Sequence, residues 1–172
     1  MLKNALLYKD ELLKKYANIM YDLDYQFYGG GNGLHLPLLP DNTYENHNFV
    51  SVDENDNVIG YISYHVDYAA MSCCNFGIMS FDRGNRNFTK DVFKAIDDIF
   101  TKYHMNRLDF WCFIDNPIRP TYQKLIEKYG GRVVGTLTDT AKLLDGELHS
   151  SIIFELTAEA YLFKTRFRRR NV

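Results

Sequence analysis

Cysteine is scarce: the 172 residues hold three, Cys73, Cys74 and Cys112, two of them adjacent, and no C-x-x-C spacing. That excludes a disulfide framework and a cysteine-based zinc site, and it makes a reducing cytoplasm the simplest compartment. The histidines, His35, His47, His65, His104 and His149, form no i,i+4 pair, so no metal is expected. Long apolar runs are missing too. None approaches the roughly 18 residues of a membrane span, and the stretch from Met1 to Asp10 is too polar and broken for a secretory signal. Neither membrane insertion nor export by such a signal is expected. An excess of one charge is also absent: the formal net charge is −2, which gives the body no general pull toward nucleic acid.

What the chain has in plenty is apolar and aromatic surface. Hydrophobic residues make up 46% and aromatic ones 15%, with 13 Tyr and 12 Phe. This excludes a disordered chain and predicts a core and clefts lined by rings. The length suits one domain, residues 1–160, followed by a basic tail, 161–172. In that tail Lys164, Arg166, Arg168, Arg169 and Arg170 put five charges into seven residues. It is either a frayed, solvated end or a contact for nucleic acid or an acidic partner.

From Asp10 to Tyr28, apolar residues including Leu12, Tyr16, Ile19, Leu23 and Phe27 recur every three or four positions and predict an amphipathic helix. Gly29-Gly30-Gly31-Asn32-Gly33 ends it. With no strand before it and no Lys-Ser/Thr after it, this cluster reads as a mobile loop suited to a substrate lid, not a phosphate-binding loop. Phe49–Val52 and Val58–Val66 predict a hairpin around the polar turn Asp53–Asn57, and Phe76–Phe81 extends it to a third strand. On that hairpin His65 is either structural or a base facing a cleft. Cys73-Cys74, with no basic cluster beside it, is expected to be packed and inert. Val92, Phe93, Ile96, Ile99, Phe100 and Tyr103 then predict a helix starting close to Phe88, with Asn87 or Thr89 as N-cap and Asp91 in the first turn.

Leu108–Ile114 is apolar enough for a strand buried on both faces. Strand, helix and strand in succession predict a right-handed crossover with parallel pairing. A helix at Thr121–Tyr129 and strands at Arg132–Leu137 and Ser151–Leu156 complete the pattern. The fold class is therefore α/β: a mixed sheet of about six to seven strands, with an antiparallel N-terminal meander and a central parallel crossover, flanked by helices.

The corner between the third strand and the second helix, Asp82-Arg83-Gly84-Asn85-Arg86-Asn87, carries the clearest chemistry. A strand end meeting a helix start exposes backbone N–H groups, which together make an anion site. Three further stretches follow it in order: Leu108, Phe110 and Cys112 alternating with Asn116 four positions on; Glu127-Lys128-Tyr129-Gly130-Gly131; and the last two strands, joined through Lys142-Leu143-Leu144-Asp145-Gly146. Together the four resemble the GNAT acyltransferases, which move an acetyl or longer acyl group from coenzyme A to an amine. The resemblance spans about Phe49 to Leu156 and is closest to divergent members found in bacteria and their phages.

The resemblance implies acetyl-CoA as co-substrate, direct attack by an amine of a protein or small molecule, and no metal. It places coenzyme contacts at Met79, Ser80, Phe81, Arg83, Gly84, Asn85, Arg86, Asn87, Phe88 and Asn116. A backbone N–H near Met79 to Phe81 would polarise the thioester carbonyl, Tyr122 would protonate the departing thiolate, and Asp82, His65 or a water chain would take the amine proton. Two features depart from the family pattern. Arg86 and Phe88 stand where it has small residues, and about three extra residues lie around Pro117 to Pro120. From the residues alone, Tyr122 is either this acid or a packed ring, Asn116 either a coenzyme contact or an Asx turn, and Arg83 and Arg86 either phosphate ligands or solvated charges. The alternative function is a GNAT-fold binding or inhibitor protein that has lost catalysis.

Overall fold

The computed structural model describes residues 1–28 and 42–169. The glycine cluster read as a lid and the final arginine of the tail lie outside these residues. In chain order the elements are β1 (Leu2–Asn4), α1 (Lys9–Ile19), β2 (Asn46–Val52), β3 (Val58–Asp67), β4 (Ser72–Ser80), α2 (Arg86–Thr101), β5 (Arg107–Phe113), α3 (Arg119–Tyr129), β6 (Arg132–Lys142), β7 (Leu148–Thr157) and α4 (Ala158–Arg169). They build one seven-stranded sheet of order β1-β2-β3-β4-β5-β7-β6. Every neighbouring pair is antiparallel except β4 and β5. The mixed sheet and its central parallel crossover are as the pattern predicts.

The sheet separates two apolar layers. On one face, Ile62, Tyr64, Leu108, Phe110, Phe154 and Leu156 pack with Val92, Ile96 and Ile99 of α2 and Ile126 and Tyr129 of α3. On the other, Leu12 of α1 covers Val50, Val58, Tyr61 and Met79. Alternation along each strand sends successive side chains to opposite layers. This is why β3 and β5 read as nearly continuous apolar runs.

Several boundaries differ from the expectation, each for a local reason. The helix expected over Asp10–Tyr28 stops at Ile19, because the Asp22 side chain accepts from Asp24 N at 2.9 Å and caps a separate 3₁₀ turn, Leu23–Tyr25. Helix α2 starts before Phe88: Asn85, not Asn87 or Thr89, is its N-cap, with Oδ1 accepting from Asn87 N at 2.9 Å and Phe88 N at 3.4 Å. Asp91 therefore falls in the second turn, where it is buried and accepts from Ser51 Oγ at 2.6 Å. The chain also stays ordered past residue 160. Helix α4 runs to Arg169, and its Tyr161 is buried against Phe100 and Tyr129 at ring distances of 4.9 and 5.0 Å.

Candidate active site

The parallel pairing of β4 with β5 covers only Ser72 with Arg107 and Cys73 with Leu108. Just beyond, Asn75 sits at φ 52°, within the register irregularity between β3 and β4. Asparagine tolerates this left-handed conformation, and a bulge there turns β4 away from β5. From Asn75 onward no strand pairs the β5-facing edge of β4 among the described residues. Which peptides face that gap follows from one bond: Phe81 N donates to Ile59 O at 2.9 Å. In an antiparallel ladder, N–H groups alternate between the two edges. Phe81 and Met79 therefore turn theirs toward β3, whereas Ser80 and Ile78 turn theirs into the gap. The expected carbonyl-polarising donor is not Phe81 or Met79, whose amides belong to the β3 ladder. Of the three expected residues, Ser80 alone turns its N–H into the gap, where that of Ile78, which the sequence did not single out, joins it.

The gap holds a slot of ≈ 300 Å³. Ile78, Val92, Ile96, Phe110, Cys112 and Tyr122 line it on the helix side, and Phe27, Tyr28, Ser63 and Trp111 on the opposite side of the sheet. Tyr122 stands edge-on to Phe110 at 5.5 Å. Burial, with smaller contributions from Tyr28 and Cys112, holds its pKa well above the usual phenol value. The phenol therefore stays protonated at any ordinary pH. No hydrogen bond engages its hydroxyl among the described residues. Burial also pushes the Cys112 thiol up to about 11, against the opposing pull of Arg119, so it is no nucleophile. Burial raises Cys73 and Cys74 as well, in line with an inert pair.

Asn116 forms the expected Asx turn and also faces the slot. It lines the slot, and its Oδ1 accepts from Ile118 N at 3.1 Å, an Asx turn that leads into α3. The two expected bases lie elsewhere. His65 Nδ1 is bonded to Asn46 Oδ1 at 2.9 Å, and Asp82 accepts from Asn85 Nδ2 at 2.7 Å beside the helix start; neither lines the slot.

At the α2 end, the loop is already largely satisfied from within. Besides the Asn85 cap, Thr89 N donates to Asn85 O at 3.3 Å and Asn85 N to Asp82 O at 3.2 Å. Gly84 lies at φ 83° with open space around its α-carbon, a conformation that suits glycine. The N–H groups of Gly84 and Arg86 have no partner among the described residues. Arg83 does: its guanidinium donates to Asp24 O at 2.5 Å, pairs with Asp24 Oδ2 at 3.4 Å, and lies 4.6 Å over the Tyr25 ring. It clasps the 3₁₀ turn to the loop. Arg86 is exposed and makes no such contact.

No protein-family model and no curated protein matches this sequence. Solved structures match its fold. A crystal structure with a provisional acetyltransferase designation aligns over 98% of this chain and 92% of its own, with TM-score 0.71 and 19% identity. Spermidine/spermine N-acetyltransferase SpeG from Vibrio cholerae, in complex with manganese ions, aligns over 90% and 78%, with TM-score 0.60 and 18% identity. A chimera of Vibrio cholerae spermidine N-acetyltransferase SpeG and hSSAT aligns over 69% and 71%, with TM-score 0.58 and 21% identity. This chain has the GNAT fold.

Within the GNAT fold the bulky residue at position 88 has a structural explanation. Phe88 points inward, is 6% exposed, and its ring fills the space where a β-carbon on Gly60 of β3 would stand. The missing side chain at Gly60 is what leaves room for the ring. The Phe88 ring is thus a core element, and only its backbone belongs to the loop, where its N–H already meets Asn85.

Sequence reasoning missed a buried histidine at the far end of β5. His149 Nδ1 lies 3.1 Å from Asp115 Oδ2 and Nε2 lies 3.0 Å from Asp145 Oδ2, with Phe27 edge-on at 5.7 Å. A neutral imidazole has a single N–H and can donate to only one of the two. Burial pulls its pKa down, but the two carboxylates outweigh that, and the net shift is upward. The stabilisation is therefore complete below the unfolded value of about 6.5 and is lost as pH rises through the higher folded value. Tm is expected to fall as pH rises above the unfolded value of about 6.5, and the fall to be largely absent in His149→Phe. Parallel Tm profiles for the two proteins would contradict this.

Proposed function

We propose that this protein is an N-acyltransferase that moves an acetyl group from acetyl-CoA to an amine by direct attack. The observation that carries the reading is the gap between β4 and β5: an apolar slot edged by unpaired strand peptides, with Val92 and Ile96 of α2 along one wall and a buried phenol inside. A pantetheine arm carries amides that can pair with such an edge as an added strand would. Acetyl-CoA would supply a thioester already activated toward an amine.

The chain's own groups each have a task. The Ile78 N–H is directed at the site of the thioester oxygen, where it stabilises developing negative charge. Gly84 N–H, Arg86 N–H and the Arg86 guanidinium hold the phosphates. As the new C–N bond forms and the C–S bond breaks, Tyr122 gives its proton to the sulfur and regains one from water. No carboxylate or histidine lines the slot among the described residues. The amine therefore reacts from its neutral form, and its surplus proton leaves through water.

A second reading, a coenzyme-binding protein without catalysis, draws support from the α2 amides already capped by Asn85 and the arginine already clasped by Asp24. Calorimetry with acetyl-CoA, followed by amine-dependent release of the CoA thiol, separates the two. Binding and release together support the enzyme; binding with no release for any primary amine favours the inactive protein.

A further inference from the structure

The sheet face opposite α2 and α3 holds a feature that acyl transfer alone does not require. Trp111 is 45% exposed there, at the mouth of the slot, beside Phe27, Tyr28 and Ser63. Its ring is set by Phe113, edge-on at 5.3 Å. Strand alternation places Asp109 on the same face, and Glu155 pairs directly with it across β5 and β7. Both carboxylates are spoken for: Arg107 Nε meets Asp109 Oδ2 at 2.9 Å, and Arg132 Nε meets Glu155 Oε1 at 2.8 Å. The next two, Asp115 and Asp145, hold His149. Neither pair lines the slot: among the described residues its lining is rings, aliphatic side chains and neutral polar groups, with no carboxylate.

From this we infer that the acceptor enters across Trp111 and is a primary amine carried on an aromatic or similarly flat apolar body, not a polyamine. The inference rests on the acyltransferase reading for its chemistry, but its geometry is independent of the coenzyme. A polyamine brings several ammonium charges and meets no carboxylate among the described residues that line the slot. An arylalkylamine stacks its ring on Trp111, gaining from ring contact and from cation–π attraction as it arrives charged. The same apolar surroundings disfavour the ammonium form and so favour the neutral amine that attacks.

Trp111 is the single tryptophan of the chain, so emission excited selectively at tryptophan reports on the mouth alone. Titration of the full chain without coenzyme is expected to give a saturable emission change with 2-phenylethylamine and none at equal concentration with spermidine. A saturable response to spermidine at lower concentration, or no response to 2-phenylethylamine, would overturn the inference. In turnover, Trp111→Ala is expected to raise the KM for 2-phenylethylamine by about tenfold and to move the KM for acetyl-CoA far less, and Trp111→Phe to restore most of the loss. Equal losses in both variants, or a joint change in both KM values, would also overturn it. Because the emission assay contains no coenzyme, failure of acetyl-CoA to bind would sink the acyltransferase reading and leave the amine site standing or falling by itself.

Discussion

Tyr122→Phe is expected to lower kcat by about a hundredfold or more, the usual span for a lost general acid, with the affinity for acetyl-CoA nearly unchanged. Only the hydroxyl is removed. The ring keeps its edge contacts with Phe110 and Phe154 at 5.5 and 6.4 Å, so the wall of the slot keeps its shape. The hydroxyl has no hydrogen-bond partner among the described residues, so its loss leaves no orphaned group behind and Tm should not fall. The other protic groups at the slot are poorer substitutes. Cys112 carries a thiol pushed up to about 11 by burial, and Tyr28 lies on the opposite side of the sheet with its own phenol raised mainly by burial. Steady-state rates and calorimetry on the same preparation decide the point. An unchanged kcat would remove Tyr122 from the chemistry and leave it a packed ring.

Phe88→Ala is expected to cost about 3–5 kcal/mol of stability, the range for emptying a buried phenylalanine site. The side chain that this substitution restores toward the family pattern is, in this chain, the one that fills the hollow above Gly60. Gly60→Ala should also destabilise, because its new methyl group would stand inside the Phe88 ring. The two substitutions together should cost less than the sum of their separate effects, since each relieves part of the defect made by the other. Denaturant unfolding of the four proteins gives the coupling directly. A loss below about 1 kcal/mol for Phe88→Ala, or strict additivity with Gly60→Ala, would mean that the ring does not fill this space.

These two residues mark how far the sequence can be read. Helix α2 was legible because Val92, Ile96, Ile99 and Phe100 all face the core, and β5 because Leu108, Phe110 and Cys112 alternate into it. Such patterns are local and carry their own period. The three residues of β1 are too few to show one. The break at Asp22 and the cap at Asn85 depend on a short side chain competing for backbone N–H groups, and several neighbours have the same capacity. Arg83 was legible as a charge but not as a clasp, because Asp24 lies far away in sequence and meets it only once α1 has packed. The gap-facing amide of Ile78 was hidden for a different reason. Which amides of β4 face the gap depends on the phase of its ladder with β3, and a shift of one residue would have exchanged Ile78 for Met79. His149 likewise needs register to bring Asp115 and Asp145 to its two nitrogens.

The central claim is that the gap between β4 and β5 receives an acyl coenzyme A. Isothermal calorimetry with acetyl-CoA on the full chain tests it most directly. The account predicts saturable binding of one acetyl-CoA per chain, weakened more in Arg86→Ala, whose guanidinium has no partner among the described residues, than in Arg83→Ala, whose guanidinium is held by Asp24. The absence of both heat and thermal shift at millimolar acetyl-CoA would contradict it.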